Sequence, residues 1–440
     1  MSMNGALTRH EMTAVQAFLG CLFSESNAIA VRFGDSSQLM PQPTGTTTIV
    51  INSPNSLRRM FRPPIQRSLG EAYIRGDFDI QGDLTKIFES FHMPDNKVMG
   101  KLPALARLWS SLPHENHYPQ LLRPNSTYPY HRGFYRKRVQ KVIQDYDAGN
   151  DFYALWLDTK MLYSCAYFLT DDEDLDTAQD HSLDLICRKL NLEQGEKLLD
   201  INCGWGGLVL HAAKHYGVSV LGTTPNQRQQ FFANQRIATA NLRGTMVKMT
   251  DYRDLTAGTF DKITNISLLQ HTTRTQLSQH FAHIYRLLKP GGLFLNRRIS
   301  AYPSFTRQEP CPIAEQLTKN ILLGPSSFIP NKIFPDRELP MVGEVNLIAE
   351  KNGFEICHLE NLRKHYILTL RHWLKRLDDQ RAQAIQLTDE ATYRVWRLYF
   401  TATIYGFESG NYNASETLFY KPLNSRNDIA LPRTRHCHGI

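Results

Sequence analysis

No uninterrupted apolar run in this 440-residue sequence approaches the roughly 20 residues that a membrane span needs, so any meeting with lipid is expected from the water side. The start of the chain lacks the pattern of a secretory signal, because Arg9, His10 and Glu11 lead only into a short apolar stretch from Ala14 to Phe23. Cysteine is scarce. Cys21, Cys165, Cys187, Cys203, Cys311, Cys357 and Cys437 are odd in number, scattered and without CxxC spacing, which argues against a disulfide framework or a thiolate zinc site and fits a reducing cytoplasm. None of the 16 histidines sits at HxxxH or HxxE spacing with further ligands, so no metal is expected. The sequence shows no internal repeat.

What is present bounds the answer further. Hydrophobic residues make up 42%, enough for packed cores, and the length suits two domains. The net charge of +8 suits an anionic membrane surface or nucleic acid, although a slightly basic soluble protein reads equally well from charge alone.

The chain reads as three parts. Residues 1–95 form a small α+β module, with a strand-like Thr47-Thr48-Ile49-Val50-Ile51 and a short helix from Ser68 that breaks at Gly76 into an extended segment. Residues 96–145 are a connector, Pro-rich and then basic at Arg132, Arg136, Lys137, Arg138 and Lys141. From 146 to 440, strand and helix signals alternate as in a doubly wound, Rossmann-like α/β fold. Lys197–Ile201 is its first strand, Val218–Gly222 the second, and Lys289-Pro290-Gly291-Gly292 a sharp turn before the strand opening at Leu293.

The loop Asp200-Ile201-Asn202-Cys203-Gly204-Trp205-Gly206-Gly207 follows the first strand directly. Glycine has no Cβ, so such a loop lets a ligand approach the backbone. A phosphate-binding P-loop is excluded, because no Gly-Lys-Ser/Thr follows. The dinucleotide pattern is not met either: the glycine spacing differs, and the second strand leads into Thr223-Thr224 rather than an acid. Asp200 at a strand's carboxyl end, Asp251-Tyr252 at the same edge and the Lys-Pro-Gly-Gly turn together resemble a class I S-adenosylmethionine-dependent methyltransferase.

Further motifs narrow this to one family. Tyr146-Asp147-Ala148-Gly149-Asn150-Asp151-Phe152-Tyr153, Met161 to Phe168, Asp200 to Gly207, Tyr216 to Gln230, Asp251 to Leu255 and His365-Tyr366 to Trp373 resemble the cyclopropane-fatty-acyl-phospholipid and mycolic acid cyclopropane synthases, as does Gly70-Glu71-Ala72-Tyr73 in the first module. The resemblance implies that Tyr163, Ser164, Asp200, Gly204, Gly206, Thr224, Gln229 and Tyr252 bind S-adenosylmethionine. It implies an unsaturated phospholipid or other lipid as acceptor and no nucleic-acid partner, with the lipid met at the inner membrane surface, and leaves a homodimer open. It also implies a bound bicarbonate base in a polar cage, whose positions Cys165 and Tyr366 match.

The sequence departs from that pattern at informative places. Phe-Glu-His reads Leu269-Gln270-His271, the histidine of the fifth strand is Arg297, the first loop glycine is Asn202, the histidine before the opening motif is Asp145, and a late cysteine is Thr403. Asn202 is compatible with a left-handed loop. Gln270 does not titrate and Arg297 stays charged, so the pair could grip an anion but is poorly suited to cycling a proton. The leading reading is a cyclopropane synthase-like lipid C-methyltransferase, with a ring as one outcome and a methyl-branched or methylene chain as another; the alternatives are a lipid- or cofactor-binding homologue without turnover and a small-molecule N-methyltransferase.

Overall fold

The computed structural model describes residues 9–22, 29–33, 37–38, 47–52, 56–62, 65–87, 104–113, 148–266, 274–301 and 339–423. The chain divides into two units, one of Met1–Phe134, Thr306–Ile333 and Asp389–Tyr405, the other of Tyr135–Phe305, Phe334–Thr388 and Gly406–Ile440.

The first unit carries four strands, β1 (Ile29–Phe33), β2 (Ser37–Gln38), β3 (Thr47–Ile51) and β4 (Phe78–Gln81), in the order β2-β1-β3-β4. Five consecutive β-branched residues make β3 extended, and all five are buried. β1 and β3 are parallel, a pairing that local sequence does not announce. The helix Ile65–Arg75 stops where Gly76 adopts φ +79°, and Asp77 leads into β4. Val15, Phe18 and Leu19, at helical spacing on Arg9–Leu22, pack with Val31, Tyr73, Phe78 and Leu398. Arg394 is buried in this unit; its guanidinium donates to the Tyr73 carbonyl at 3.1 Å, to Asp79 at 2.8 Å and to Glu390 at 2.8 Å.

The second unit is built on seven strands, adding β5 (Lys197–Ile201), β6 (Ser219–Thr223), β7 (Met246–Lys248), β8 (Phe260–Ile266), β9 (Leu288–Ala301), β10 (Glu355–Asn361) and β11 (Tyr412–Tyr420), in the order β10-β11-β9-β8-β5-β6-β7. β11 runs antiparallel to both β10 and β9, and the other pairings of this sheet are parallel. Alternate side chains serve opposite faces. Leu198, Leu293, Leu295 and Leu418 join one core with the helices Leu175–Lys189, Gly207–Tyr216 and Gln227–Thr239. Leu199, Phe294 and Phe419 join the other with the helices Arg274–Leu287 and Val342–Lys351. This is the doubly wound α/β fold that the sequence led us to expect.

One local expectation changes. Lys289 to Gly292 do not precede the fifth strand but bulge within it. Leu288 pairs with Phe260 and Leu293 with Lys262, so the four residues between loop out of the ladder. Gly291 sits at φ +79°, and a Cβ on Gly292 would lie 2.7 Å from the Asp261 carbonyl, so both positions require glycine. The basic positions 132–141, the motif start at Tyr146-Asp147, Gln270 and His271, the Pro-rich run 303–330 and the tail histidines lie outside the described residues. Among the described residues, no helix is long and apolar enough to cross a membrane.

Candidate active site

The glycine loop leaves β5 at its carboxyl edge. Asn202, Gly204 and Gly206 all have positive φ, +60°, +55° and +79°. Asn202 is therefore benign for the loop, as its tolerance of left-handed backbone suggested. A Cβ on Gly206 would stand 2.9 Å from the Ala233 Cβ, whereas one on Gly204 would meet nothing within 4 Å. Gly206 serves packing; Gly204 leaves open space beside the backbone.

Backbone bonds tie this loop to its neighbours. The Cys203 N–H donates to the Thr223 carbonyl at 2.9 Å, and the Thr224 N–H donates to the Lys248 carbonyl at 3.1 Å. The Thr224 hydroxyl donates to Gln229 Oε1 at 2.8 Å, and Asn226 caps the helix that carries Gln229. The loops after β5, β6 and β7 thus form one ledge.

Asp200 is buried beneath that ledge and accepts from the Thr264 hydroxyl at 2.8 Å. Burial pushes its carboxyl up to about 7, against the lowering by that hydroxyl. Tyr252 is held by a residue that sequence reading missed: its hydroxyl lies 2.6 Å from Nδ1 of His280, whose Nε2 lies 3.1 Å from the Asn265 amide. Burial pushes His280 down to about 3, so the ring is neutral and has a single N–H. The Asn265 Nδ2 amide donates to Nε2, so Nδ1 carries the ring hydrogen and donates to the Tyr252 hydroxyl.

The segment 163–168 approaches from the other side. Tyr163 stacks among Trp156 and Trp373 at ring-centroid distances of 5.4 and 5.2 Å. Tyr153 bridges to the glycine loop, 6.2 Å from Tyr163 and 5.0 Å from Trp205. Ser164 is buried and its carbonyl accepts from Gln179 at 3.0 Å. The Ala166 N–H donates to Thr369 at 3.1 Å and the Phe168 N–H to His365 Nδ1 at 3.1 Å, which stitches the segment to the helix Arg363–Asp379. Cys165 and Tyr366, distant in sequence, are thereby brought to one helix: the Cys165 thiol lies 3.9 Å from the Leu362 carbonyl, which also accepts from the Tyr366 N–H at 2.9 Å. Burial pushes the Cys165 thiol up to about 12 despite nearby Arg297.

Arg297 proves to be committed to the protein. Its Nε donates to Glu416 Oε2 at 2.7 Å, and its Nη1 donates to the Cys165 carbonyl and the Ser182 hydroxyl, each at 2.7 Å. Glu416 also takes Lys189 at 2.6 Å, and Lys189 reaches on to Glu360. Arg297 thus already holds a carboxylate of the chain, and Gln270, its partner in the expected anion grip, lies outside the described residues.

Comparison with known proteins places it. Residues 135–417 match the family described as mycolic acid cyclopropane synthetase. The chain belongs to that family. It is 31% identical over 398 residues to a probable fatty acid methyltransferase of Pseudomonas putida, covering 90% of this chain and 92% of that protein. It is 32% identical over 271 residues to cyclopropane mycolic acid synthase 1 of Mycobacterium tuberculosis, covering 61% of this chain and 92% of that one. A crystal structure of a mycolic acid cyclopropane synthase complexed with SAH and CTAB superposes with a TM-score of 0.59 at 30% identity, covering 64% of this chain and 98% of that chain. As a member of the family, the chain is an S-adenosylmethionine-dependent methyltransferase.

The residues present fit that cofactor. The loop has open space at Gly204 and a buried carboxyl at the strand end, which suits a ligand carrying positive charge and hydroxyl groups. Bicarbonate fits less well. Where the family pattern has a titratable histidine, Arg297 is already paired with a carboxylate, and we route no step through an added anion. His211 and His215 stand one helical turn apart with ring centroids at 4.6 Å, yet no group among the described residues could hold a metal ion.

Proposed function

We propose that this methyltransferase acts on the double bond of an unsaturated acyl chain in a phospholipid, met at a membrane surface, and that its product carries a methylene or methyl branch. The observation that carries the acyl acceptor is the match along 90% of the chain to a protein described as a probable fatty acid methyltransferase. Bound S-adenosylmethionine supplies an electrophilic methyl group on a positively charged sulfur.

The chain's own residues have three tasks in this reading. Tyr163, Ser164, Asp200, Gly204, Gly206, Thr224, Gln229 and Tyr252 hold the cofactor; an alkene is a weak nucleophile, so the reacting atoms must be kept in near-attack geometry. The buried rings of Tyr153, Trp156 and Trp373 exclude water and offer aromatic faces to positive charge. After transfer, that charge sits on the neighbouring acyl carbon; a hydride shift and transfer of one proton to solvent water give the methylene product. Cys165 keeps its proton at neutral pH, so it lines the site without acting as base. Tyr366, buried against Trp373 and Phe407, orders the same wall. A saturated methyl branch would need a separate hydride donor.

The test is incubation with methyl-labelled S-adenosylmethionine and vesicles of unsaturated phospholipid, followed by mass spectrometry of the acyl chains. Label with a branched or methylene fragmentation pattern supports the proposal. A ring overturns the product assignment. No label, with the cofactor bound by calorimetry, overturns the lipid acceptor and points to small amines; no binding leaves a homologue without turnover.

A further inference from the structure

One buried set of charges is left unused by that reaction. Arg297 on β9, Glu416 on β11 and Glu360 on β10 lie side by side across three adjacent strands, in register Arg297↔Glu416 and Glu416↔Glu360. Two carboxylates directly opposite each other repel. Lys189, at the end of the helix Leu175–Lys189, resolves this by bridging both. Side-chain exposure is 3% for Arg297, 1% for Glu416 and 0% for Lys189. The two cations and two anions cancel. Burial alone would push the Glu416 carboxyl up, but Arg297 and Lys189 more than offset it and hold it down at about 2.

The set also holds the wall of the site. Arg297 Nη1 and the Ser182 hydroxyl both donate to the Cys165 carbonyl, at 2.7 and 3.1 Å, and the Tyr167 hydroxyl donates to Glu360 at 3.0 Å. A buried guanidinium beside Cys165 needs a carboxylate-like partner. Here that partner comes from the chain, on a strand 119 residues away in sequence.

We propose that Glu416 is a built-in anion, occupying the place beside Arg297 and Cys165 that an exchangeable carboxylate or bicarbonate would otherwise take, so that turnover needs no added small anion. The statement about turnover rests on the function proposed above; the statement about occupancy does not.

The experiment uses the full chain with sodium bicarbonate and sodium formate as probes, and sodium chloride as the ionic-strength control. For the wild type, methyl transfer to phospholipid vesicles in CO2-free buffer is expected within twofold of the rate with bicarbonate, and neither probe raises the melting temperature above the chloride control. A tenfold stimulation, or a probe-specific thermal shift, overturns the proposal. Glu416→Ala leaves Arg297 and Lys189 with an excess of buried positive charge, so its melting temperature is expected to fall by roughly 10 °C. Formate, which fits the space of the lost carboxylate, should restore several degrees where chloride does not; a folded variant that formate leaves unmoved overturns the assignment. Should Glu416→Ala fail to fold, the wild-type arms still decide the matter. A wild type that transfers no methyl group sinks the proposed function, while the thermal arms continue to report on Glu416.

Discussion

Replacing Asp200 with asparagine should stabilise the protein and weaken its hold on the cofactor, and both effects can be worked from the burial of one carboxyl. Its folded-state pKa is raised from 3.8 to about 7, chiefly by burial. Below 3.8 the carboxyl is neutral whether folded or not, and it contributes nothing. Between 3.8 and about 7 the folded chain retains a proton that the unfolded chain has lost, so stability falls as pH rises. Above about 7 the cost is complete: about three pKa units at ~1.4 kcal/mol each, or about 4 kcal/mol. Asparagine cannot ionise, and its side-chain oxygen can still accept from the Thr264 hydroxyl, which now donates at 2.8 Å. The gain of Asp200→Asn over wild type should therefore be about 2 kcal/mol larger at pH 8 than at pH 5.5, a difference that cancels any packing cost of the amide itself. Urea unfolding without cofactor at the two pH values measures it.

The same carboxyl should matter in the opposite sense for binding. A ligand carrying sulfonium and ammonium charges favours ionised Asp200, so binding near pH 7 should release a proton and affinity should rise from pH 6 to 8. Calorimetry in two buffers of different ionisation heat counts that proton. In Asp200→Asn the release should vanish and affinity at pH 8 should drop at least roughly tenfold, the size of a lost charge-assisted hydrogen bond. A variant less stable than wild type at pH 8, or wild-type binding without proton release, would refute the reasoning.

Three further outcomes follow from the same geometry. Gly206→Ala forces a side chain into φ +79° with its Cβ 2.9 Å from that of Ala233; a loss of about 2 kcal/mol in denaturant unfolding is expected, with weaker cofactor binding, and unchanged binding would show that the loop does not shape the pocket. Tyr252→Phe removes the hydroxyl 2.6 Å from buried His280, which should cost about 1–3 kcal/mol and leave the ring N–H without its acceptor, visible as a shifted imidazole signal in NMR. Glu416 has a folded pKa held down from 4.5 to about 2, so its contribution is complete above 4.5 and is lost as pH falls toward about 2; acid unfolding of Glu416→Gln should lack the portion of the slope, about 3 kcal/mol, that wild type shows in that window.

Much of the second unit was legible because its elements are short-range matters. Apolar runs bounded by turn residues marked β5 and β6, and the glycines marked the loop after β5, since only a few residue types accept the left-handed backbone found at 202, 204 and 206. The residues expected to bind the cofactor were named from the family resemblance; of these, Asp200 lies near the end of β5 and Thr224 directly follows β6, while Gln229 lies on the next helix. Even Asn202 could be judged from its residue type. The Lys-Pro-Gly-Gly segment was read as a turn before a strand because its residues say turn; that it is a bulge inside β9 depended on where Leu288 and Leu293 pair on β8.

What the tertiary structure alone decided are the partners of buried polar groups. Nothing near Tyr252 in sequence announces His280, and nothing near Arg297 announces Glu416. A glutamate in the middle of Tyr412–Tyr420, a strand otherwise rich in apolar and small residues, was the available signal that a buried charge must find an opposite one. Which one it finds depends on strand order, because β11 inserts between β9 and β10 and sets Arg297 and Glu360 on either side of it. Residue type determined that Arg297 would remain charged. Only the register of three strands and the end of one helix determined that its charge is spent within the protein.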